Sequence, residues 1–200
     1  MLKLLAVLAA LLGGSTLSWA DARSDCRYWR NLLVDPITAC SAVIRADPTN
    51  VRAFLERGSG YIAKKEYDLA LDDFNSAITL DPKAADGYIG RGFVYARKNN
   101  NEQAIAEYTK AIEVGHVSAV LHTIRGNAYA NKADYDSAIV DYTKAIELDG
   151  KEKFAYHGRG KAHAKKGDKS RAIADFRAAL EKDPYLYESR AFLKALGADQ

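Results

Sequence analysis

Proline and net charge are both scarce in this chain of 200 residues. Only 4 prolines occur, while alanine, leucine, lysine and glutamate are abundant, and this balance favours helix. No long β-branched run alternates with period two, so strands are not expected. The formal net charge is only +3, and no electrostatic argument therefore points to nucleic acid as a partner. With 48% hydrophobic residues, the composition is typical of a folded protein.

Apolar stretches long enough to span a bilayer are also missing after the first twenty residues. Those residues differ from the rest, because Lys3 precedes an uncharged apolar run over 4–12 and small residues lead up to Ala20. This layout predicts a secretory signal peptide over 1–20, cleaved after Ala20 or, alternatively, after Ala22. We therefore expect an exported protein, periplasmic or secreted, whose mature form does not span a membrane. Retention of the apolar run as an anchor is the alternative.

Cysteine is nearly absent, and both cysteines, Cys26 and Cys40, follow the predicted cleavage site. An even number of cysteines in an exported chain indicates a disulfide. Closing a loop of this length stabilises by about 3 kcal/mol in the chain-entropy description. The alternative is two buried free thiols. A redox or metal pair is disfavoured, because the spacing is not Cys-x-x-Cys and no histidine lies nearby.

Five columns of residues recur along the chain with a step of 34 residues. They are the glycines Gly58, Gly92, Gly126 and Gly160; the alanines Ala70, Ala104, Ala138 and Ala172; the alanines Ala77, Ala111, Ala145 and Ala179; the aromatic residues Phe74, Tyr108, Tyr142 and Phe176; and the aromatic set Tyr61, Tyr95, Tyr129 and His163. Several independent columns with one shared period and no insertion indicate an internal repeat.

The columns predict two packed helices in each copy. In the first copy, Gly58 and Tyr61 share one helical face, and Ala70 and Phe74 share a face of a second helix after a short connection at 64–66. A glycine inside a helix costs about 1 kcal/mol relative to alanine, so its recurrence needs a reason. We interpret Gly58 as a point of close approach, where the second helix packs against bare backbone.

Each copy also has a signal that ends its second helix. Asp-Pro pairs at 47–48, 81–82 and 183–184 cannot continue a helix. The two middle copies have Gly115-His116 and Asp149-Gly150 instead, and glycine at these places is predicted to adopt the left-handed cap conformation.

These residues resemble the tetratricopeptide repeat, which has Gly-x-x-Tyr on its first helix and Ala, an aromatic residue, Ala and Pro on its second. The resemblance implies an all-α fold, a right-handed superhelical solenoid of antiparallel helix pairs. A degenerate half-repeat over 21–50, stapled by the predicted disulfide, precedes the full copies, and a capping helix over 187–200 follows them. The four full copies are 51–84, 85–118, 119–152 and 153–186.

Four arginines form a row that resembles a basic binding site, but each has an acid sixteen residues later. A charge pair that repeats with the unit is better interpreted as a structural ion-pair ladder. The predicted pairs are Arg57 with Asp73, Arg91 with Glu107, Arg125 with Asp141 and Arg159 with Asp175.

The resemblance implies that partners dock on the concave side, which the first helix of each pair lines. Phe93 and Phe154 are the best anchors there, since aromatic side chains contribute much of the energy at interfaces. Packing between neighbouring repeats is the alternative role for each apolar member. The predicted concave residues are Arg52, Leu55, Ser59 and Ile62; Asp86, Ile89, Phe93 and Arg97; Val120, Thr123, Asn127 and Asn131; and Phe154, His157, Lys161 and Lys165.

No catalytic, metal or cofactor motif is present. The chain lacks Gly-x-Ser-x-Gly, a phosphate loop and His-Glu-x-x-His, and no two histidines share a helical face at i, i+4. The lysine and asparagine clamp with which some family members hold a carboxylate is absent too, since Thr123 and Gly158 stand at its places. We therefore predict a non-catalytic scaffold or adaptor of the bacterial envelope that binds an unidentified protein or peptide. An envelope-assembly chaperone and a self-assembling structural module are the alternatives.

Overall fold

The computed structural model describes Cys26 and residues 35–198, and within this part the chain forms ten α-helices and no strand. The predicted all-α fold is thus confirmed. The predicted signal peptide lies outside the described residues. The helices are α1 Pro36–Ala46, α2 Val51–Ala63, α3 Tyr67–Leu80, α4 Ala85–Arg97, α5 Asn101–Glu113, α6 Ala119–Asn131, α7 Tyr135–Leu148, α8 Lys153–Lys165, α9 Lys169–Lys182 and α10 Tyr187–Ala195.

Each of the four predicted copies contains two of these helices, joined by a short turn. The first helices α2, α4, α6 and α8 begin at the first residue of each predicted copy. The chain consists of two compact units, and the boundary between them falls after Gly90, within α4. In the first unit α3 packs on α2, and α2 packs on α1. In the second unit α6 packs on α7, α8 packs on α9, and α10 packs on α9.

Five of the described helices start with the same kind of side-chain cap. Five polar side chains accept a hydrogen bond from the backbone N–H three residues later, which satisfies a donor that the first turn of a helix leaves unpaired. The sequence positions of these residues therefore determine where the helices begin. The capping residues are Asn50 for α2, Asn100 for α5, Ser118 for α6, Asp134 for α7 and Asp168 for α9.

The helix ends confirm one of the two predicted glycine caps. Gly115 follows α5 with φ +100°, a left-handed conformation that glycine adopts without steric strain. Gly150 has no positive φ, so its predicted left-handed cap is wrong. The residue after α7 is Asp149, which has φ −144° and so leaves the helix in extended backbone, as Asp81 does after α3 with φ −138°.

Recurring glycines bring the helices close together, as the sequence predicts. A Cβ atom on Gly126 would lie 2.9 Å from the ring of Tyr142, and one on Gly58 would lie 2.9 Å from the ring of Phe74. The structure adds a second row of contacts. A Cβ on Gly158 of α8 would lie 2.5 Å from the same Tyr142 ring. In the second unit, Tyr142 is therefore held between the bare backbones of α6 and α8.

Both ends of the described chain have their own buried cluster. Cys26 and Cys40 are joined by a disulfide and pack with Val43 and Ala53. At the other end, Leu193 of α10 packs against Phe176 of α9. The N-terminal and C-terminal helix pairs are thus covered by short, sequence-specific additions, as a stacked helical array requires.

None of the described helices has the length and apolar character needed to cross a membrane.

Candidate partner-binding surface on the first helices

The arginine row belongs to the scaffold, as predicted. Each guanidinium binds the acid sixteen residues later, and the shortest N–O distances are 2.7, 2.6, 2.7 and 2.8 Å for Arg57–Asp73, Arg91–Glu107, Arg125–Asp141 and Arg159–Asp175. The hydrogen bonds that Arg125 donates to Asp141 raise the pKa of the guanidinium above its ordinary value, although its burial opposes this. These charges are therefore not available to a partner.

Three of these arginines also connect neighbouring helix pairs, a contact that was not predicted from the sequence. Nε and Nη2 of each guanidinium bind the acid, and Nη1 donates to a hydroxyl on the helix that precedes the pair, so one side chain joins three helices. In the sequence, this contact could have been predicted from a serine or threonine sixteen positions before each of these arginines. The bonds run from Arg57 to Ser41 at 3.0 Å, from Arg125 to Thr109 at 3.0 Å and from Arg159 to Thr143 at 3.1 Å.

Two histidines also belong to this buried polar layer. Nδ1 of His122 lies 2.9 Å from Asp141, and Nε2 of His163 lies 3.9 Å from Asp175. Burial lowers the pKa of His163 below its ordinary value. Among Cys26 and residues 35–198, no three or more His, Cys, Asp or Glu side chains cluster in a way that could hold a metal ion.

The predicted surface residues before Gly90 are engaged with their own helices or half-buried. Arg52 binds Glu56 at 2.9 Å, and the Ser59 hydroxyl donates to the carbonyl of Leu55 at 2.9 Å. Leu55, Ile62 and Ile89 are half-buried, whereas Asp86 is exposed. This part of the predicted site offers little exposed apolar area.

The second unit exposes far more of the predicted site. Phe93, Val120 and Phe154 retain 41%, 59% and 54% of their accessible surface, which is high for large apolar side chains on a folded protein. Polar and basic members of the set are exposed beside them. We call this set the first-helix surface, and it consists of Phe93, Arg97, Val120, Asn127, Asn131, Phe154, Lys161 and Lys165.

Two predicted members do not belong to this surface. Thr123 is only 4% exposed and donates its hydroxyl to the carbonyl of Ala119 at 2.9 Å, so the expectation that it faces a partner is wrong. His157 is half-buried because α10 covers it: Nδ1 lies 2.8 Å from the Ser189 hydroxyl, and the ring contacts Phe192 at 5.8 Å between centroids. The 34-residue columns do not extend to α10, so this contact could not be predicted from the repeat.

Burial also changes the acid–base behaviour of His157. Desolvation lowers the pKa of its imidazole below the ordinary value, and the positive charge of Lys161 acts in the same direction. Glu188 opposes them more weakly. His157 is therefore neutral near pH 7 and acts as a packing residue between α8 and α10.

Asn127 is held by a contact that crosses the core. The buried Tyr142 donates its hydroxyl to Oδ1 of Asn127 at 2.7 Å. The amide oxygen is thereby occupied, and the amide nitrogen remains as the group that Asn127 presents to a partner. In the sequence, the only indication of this hydrogen bond was that the second-helix aromatic column has tyrosine at 142, where other copies have phenylalanine.

The electrostatic character of the first-helix surface is set by α6 and α8, which contain no aspartate or glutamate. Their five basic residues are Arg125, Lys153, Arg159, Lys161 and Lys165. The first three are neutralised by partners from second helices or connections, including Asp183, which binds Lys153 at 2.6 Å. Lys161 and Lys165 are exposed, and no acidic residue in the described part of the chain pairs with either. They leave a local excess of positive charge.

Exposed apolar side chains outside the predicted set lie on the second helices α3 and α7 and near the starts of two first-type helices. Val117 precedes α6, and Tyr185 precedes α10, where Tyr187 is also exposed. Val117 and Tyr185 occupy the same place in their copies, two steps of the repeat apart. These residues were not predicted from the sequence, because the predicted surface consisted of helix positions alone.

Comparison with known families identifies the class of protein. Models of tetratricopeptide-repeat families match residues 58–99, described as TPR repeat, and residues 85–114, 119–152 and 154–186, described as tetratricopeptide repeat. Together these matches cover more than half of the chain. The protein belongs to the tetratricopeptide-repeat family. No curated protein sequence matches the chain.

Solved structures agree with this assignment. A crystal structure of MamA is 26% identical, with a TM-score of 0.71 over 85% of this chain and 92% of that one. YrrB, a TPR protein with an unusual peptide-binding site, is 22% identical, with a TM-score of 0.69 over 81% of this chain and 85% of that one. TTC0263, a thermophilic TPR protein of Thermus thermophilus, is 19% identical, with a TM-score of 0.63 over 96% and 95%. At these identities, the latter two show the fold alone.

Proposed function

We propose that this protein is an exported, non-catalytic scaffold that binds a segment of another protein through its first-helix surface. The observation behind the proposal is that recurring and non-recurring residues occupy different environments within each copy. The recurring residues are buried in the scaffold, whereas Phe93, Val120 and Phe154 do not recur and are exposed on first helices. Large apolar groups that remain exposed on a rigid framework favour partner binding, because little ordering free energy is lost on association.

The proposed location is the bacterial envelope or the extracellular space. It is supported by the signal-peptide pattern over 1–20 and by the disulfide between Cys26 and Cys40, since structural disulfides persist in oxidising compartments. Cell fractionation combined with the mass of the mature N-terminus tests this part. A full-length chain found in the cytoplasm with reduced cysteines would contradict it.

Crosslinked capture from the native envelope tests the binding surface. We compare the wild type with Phe93→Ala/Phe154→Ala and with a control variant, Val140→Ala/Leu148→Ala, whose exposed apolar groups lie on the second helix α7. The wild type and the control are expected to capture the same proteins, and the Phe93/Phe154 variant is expected to lose them. Equal capture by all three proteins means that the partner docks elsewhere.

Self-association is the second candidate, and the exposed Tyr185 and Tyr187 at the start of α10 favour it. Poorly covered ends of helical arrays can stack on one another. Sizing with multi-angle light scattering over a range of concentrations distinguishes the two. A molar mass that increases with concentration, and no longer does so in Tyr185→Ala/Tyr187→Ala, supports a self-assembling module. A constant monomer mass supports an adaptor. An envelope-assembly chaperone would instead bind unfolded envelope proteins without strong selectivity.

A further inference from the structure

The second unit combines three kinds of group on the exposed sides of α6 and α8. Val120 and Phe154 stand at the start of these helices, and both are more than half exposed, at 59% and 54%. Asn127 lies exposed in the middle of α6, and its amide oxygen accepts a hydrogen bond from Tyr142. Lys161 and Lys165 lie in the second half of α8, exposed and without an acidic partner in the described residues. Apolar, hydrogen-bonding and basic groups therefore follow one another along the helix direction.

We propose that this part of the first-helix surface selects an extended acidic segment that contains one large apolar residue. The inference rests on the proposed function and names the class of partner. The apolar residue of the segment packs against Val120 and Phe154, and a backbone carbonyl accepts a hydrogen bond from Asn127. Carboxylates of the segment bind Lys161 and Lys165.

Charge complementarity argues for an acidic partner. Because α6 and α8 contain no carboxylate, an approaching acidic segment meets no like charge on these helices, whereas a basic segment meets two uncompensated lysines. The neutralised arginines beneath them cannot be recruited, since each is bound to its own acid. Lys161 is also held in place, because its ammonium lies 6.0 Å from the ring centroid of Phe192.

Helix geometry defines the spacing within the segment. With a rise of about 1.5 Å per residue, Phe154 is about 10 Å from Lys161 and about 16 Å from Lys165 along α8. An extended chain covers about 3.3 Å per residue, so the carboxylates follow the apolar residue by about three to five positions. A compact acidic cluster directly beside the apolar residue fits less well.

Fluorescence anisotropy with the full chain and short labelled synthetic peptides tests the inference. One peptide has a phenylalanine followed at this spacing by a run of glutamates, the second has lysines in place of the glutamates, and the third has glycine in place of the phenylalanine. We expect the first peptide to bind at least about tenfold more tightly than the other two, and its affinity to fall with added salt. Equal binding of the lysine peptide, or no binding by any peptide, overturns the inference.

Two charge-reversal variants locate the site. Lys161→Glu/Lys165→Glu is expected to weaken binding of the first peptide by about tenfold or more. Lys144→Glu/Lys182→Glu makes the same change of net charge on the second helices α7 and α9 and is expected to leave affinity unchanged. Circular dichroism verifies that both variants fold. Equal effects of the two variants overturn the inference, since they indicate attraction by net charge alone.

Two further experiments distinguish a failure of the inferred partner class from a failure of the proposed function. If a single-stranded oligonucleotide or anionic lipid vesicles bind more tightly than the first peptide, and Val120→Ala/Phe154→Ala does not affect them, an acidic protein segment is not the preferred partner. If envelope capture depends on Phe93 and Phe154 but is unchanged in Lys161→Glu/Lys165→Glu, the proposed function stands and the acidic selectivity is wrong.

Discussion

The hydroxyl of Tyr142 donates a hydrogen bond of 2.7 Å to Oδ1 of Asn127, so a buried core side chain orients an exposed one. Tyr142 itself is held between Gly126 and Gly158, whose missing side chains leave room for its ring. The scaffold and the first-helix surface are therefore coupled through a single aromatic residue. A change in the core at this point is expected to reach the surface.

A double-mutant cycle measures this coupling. We expect Tyr142→Phe and Asn127→Ala to be non-additive by about 1 kcal/mol in the free energy of unfolding, which is the ordinary net contribution of one hydrogen bond. Urea denaturation of the wild type and the three variants provides the values. Tyr142→Phe combined with Asn131→Ala is the control, because Asn131 makes only a long 3.5 Å contact with Asn101. Additive behaviour at Asn127 would contradict the contact.

The ion-pair ladder predicts a large loss when only one partner is removed. Asp141 is 2% exposed, so Arg125→Met leaves its buried carboxylate with His122 but without the guanidinium, and we expect a loss of about 3 kcal/mol in the free energy of unfolding. Lys144→Met, which breaks an exposed pair with Glu147, is expected to change stability by less than about 0.5 kcal/mol. Urea denaturation compares them.

The reason for the loss is tested by removing both charges. Arg125→Met/Asp141→Leu is expected to recover much of the stability that Arg125→Met loses, because no isolated carboxylate remains. If the double variant is no more stable than the single one, the loss comes from the contact of Arg125 with Thr109 or from the contact of Asp141 with His122.

Replacing glycine by alanine is predicted to have different effects on stability at Gly126, where α6 and α7 approach closely, and at Gly150, where there is free space. Gly126→Ala places a Cβ 2.9 Å from the Tyr142 ring, and the forced repacking is expected to cost about 1 to 3 kcal/mol. For Gly150→Ala the nearest atom is 4.0 Å away and φ is not positive, so stability is expected to stay the same or rise by about 0.5 kcal/mol. Thermal melts by circular dichroism measure both. Equal melting temperatures of the two variants would show that the helices adjust freely.

The docking of α10 is predicted to depend on pH. The folded chain lowers the pKa of His157, so between that lowered value and the ordinary value of about 6.5 the unfolded chain binds more protons. The stabilising contribution is therefore complete above about pH 6.5 and is lost as the pH falls through the lowered pKa. We expect the free energy of unfolding to decrease as the pH falls below about 6.5.

His163 has a lowered pKa as well and contributes in the same direction. His157→Gln, which cannot titrate, is therefore expected to remove part of this pH dependence and to leave the share of His163. Denaturant titrations across the pH range compare the two proteins. An unchanged pH dependence in His157→Gln would mean that α10 does not cover His157 in solution.

Interactions within one helix pair were largely predictable from the sequence. The 34-residue period and the capping residues define where helices start, and a separation of sixteen residues places Arg125 opposite Asp141 in a hairpin of this length. The glycine and aromatic columns likewise predicted the contact of Gly126 with Tyr142. These features depend on local helix geometry, which repeats with the sequence.

Interactions between pairs were decided by the tertiary structure. The rotation of α6 against its neighbours buries Thr123 and exposes Val120, although both lie on the predicted face. The position of α10 covers His157, and the crossing of α6 and α8 places Gly158 against Tyr142. The sequence alone therefore determined the repeating scaffold and the residues that do not recur. Only the packing of one pair on the next decided which of those residues remain exposed, because helix rotation and crossing are set by contacts that no period in the sequence encodes.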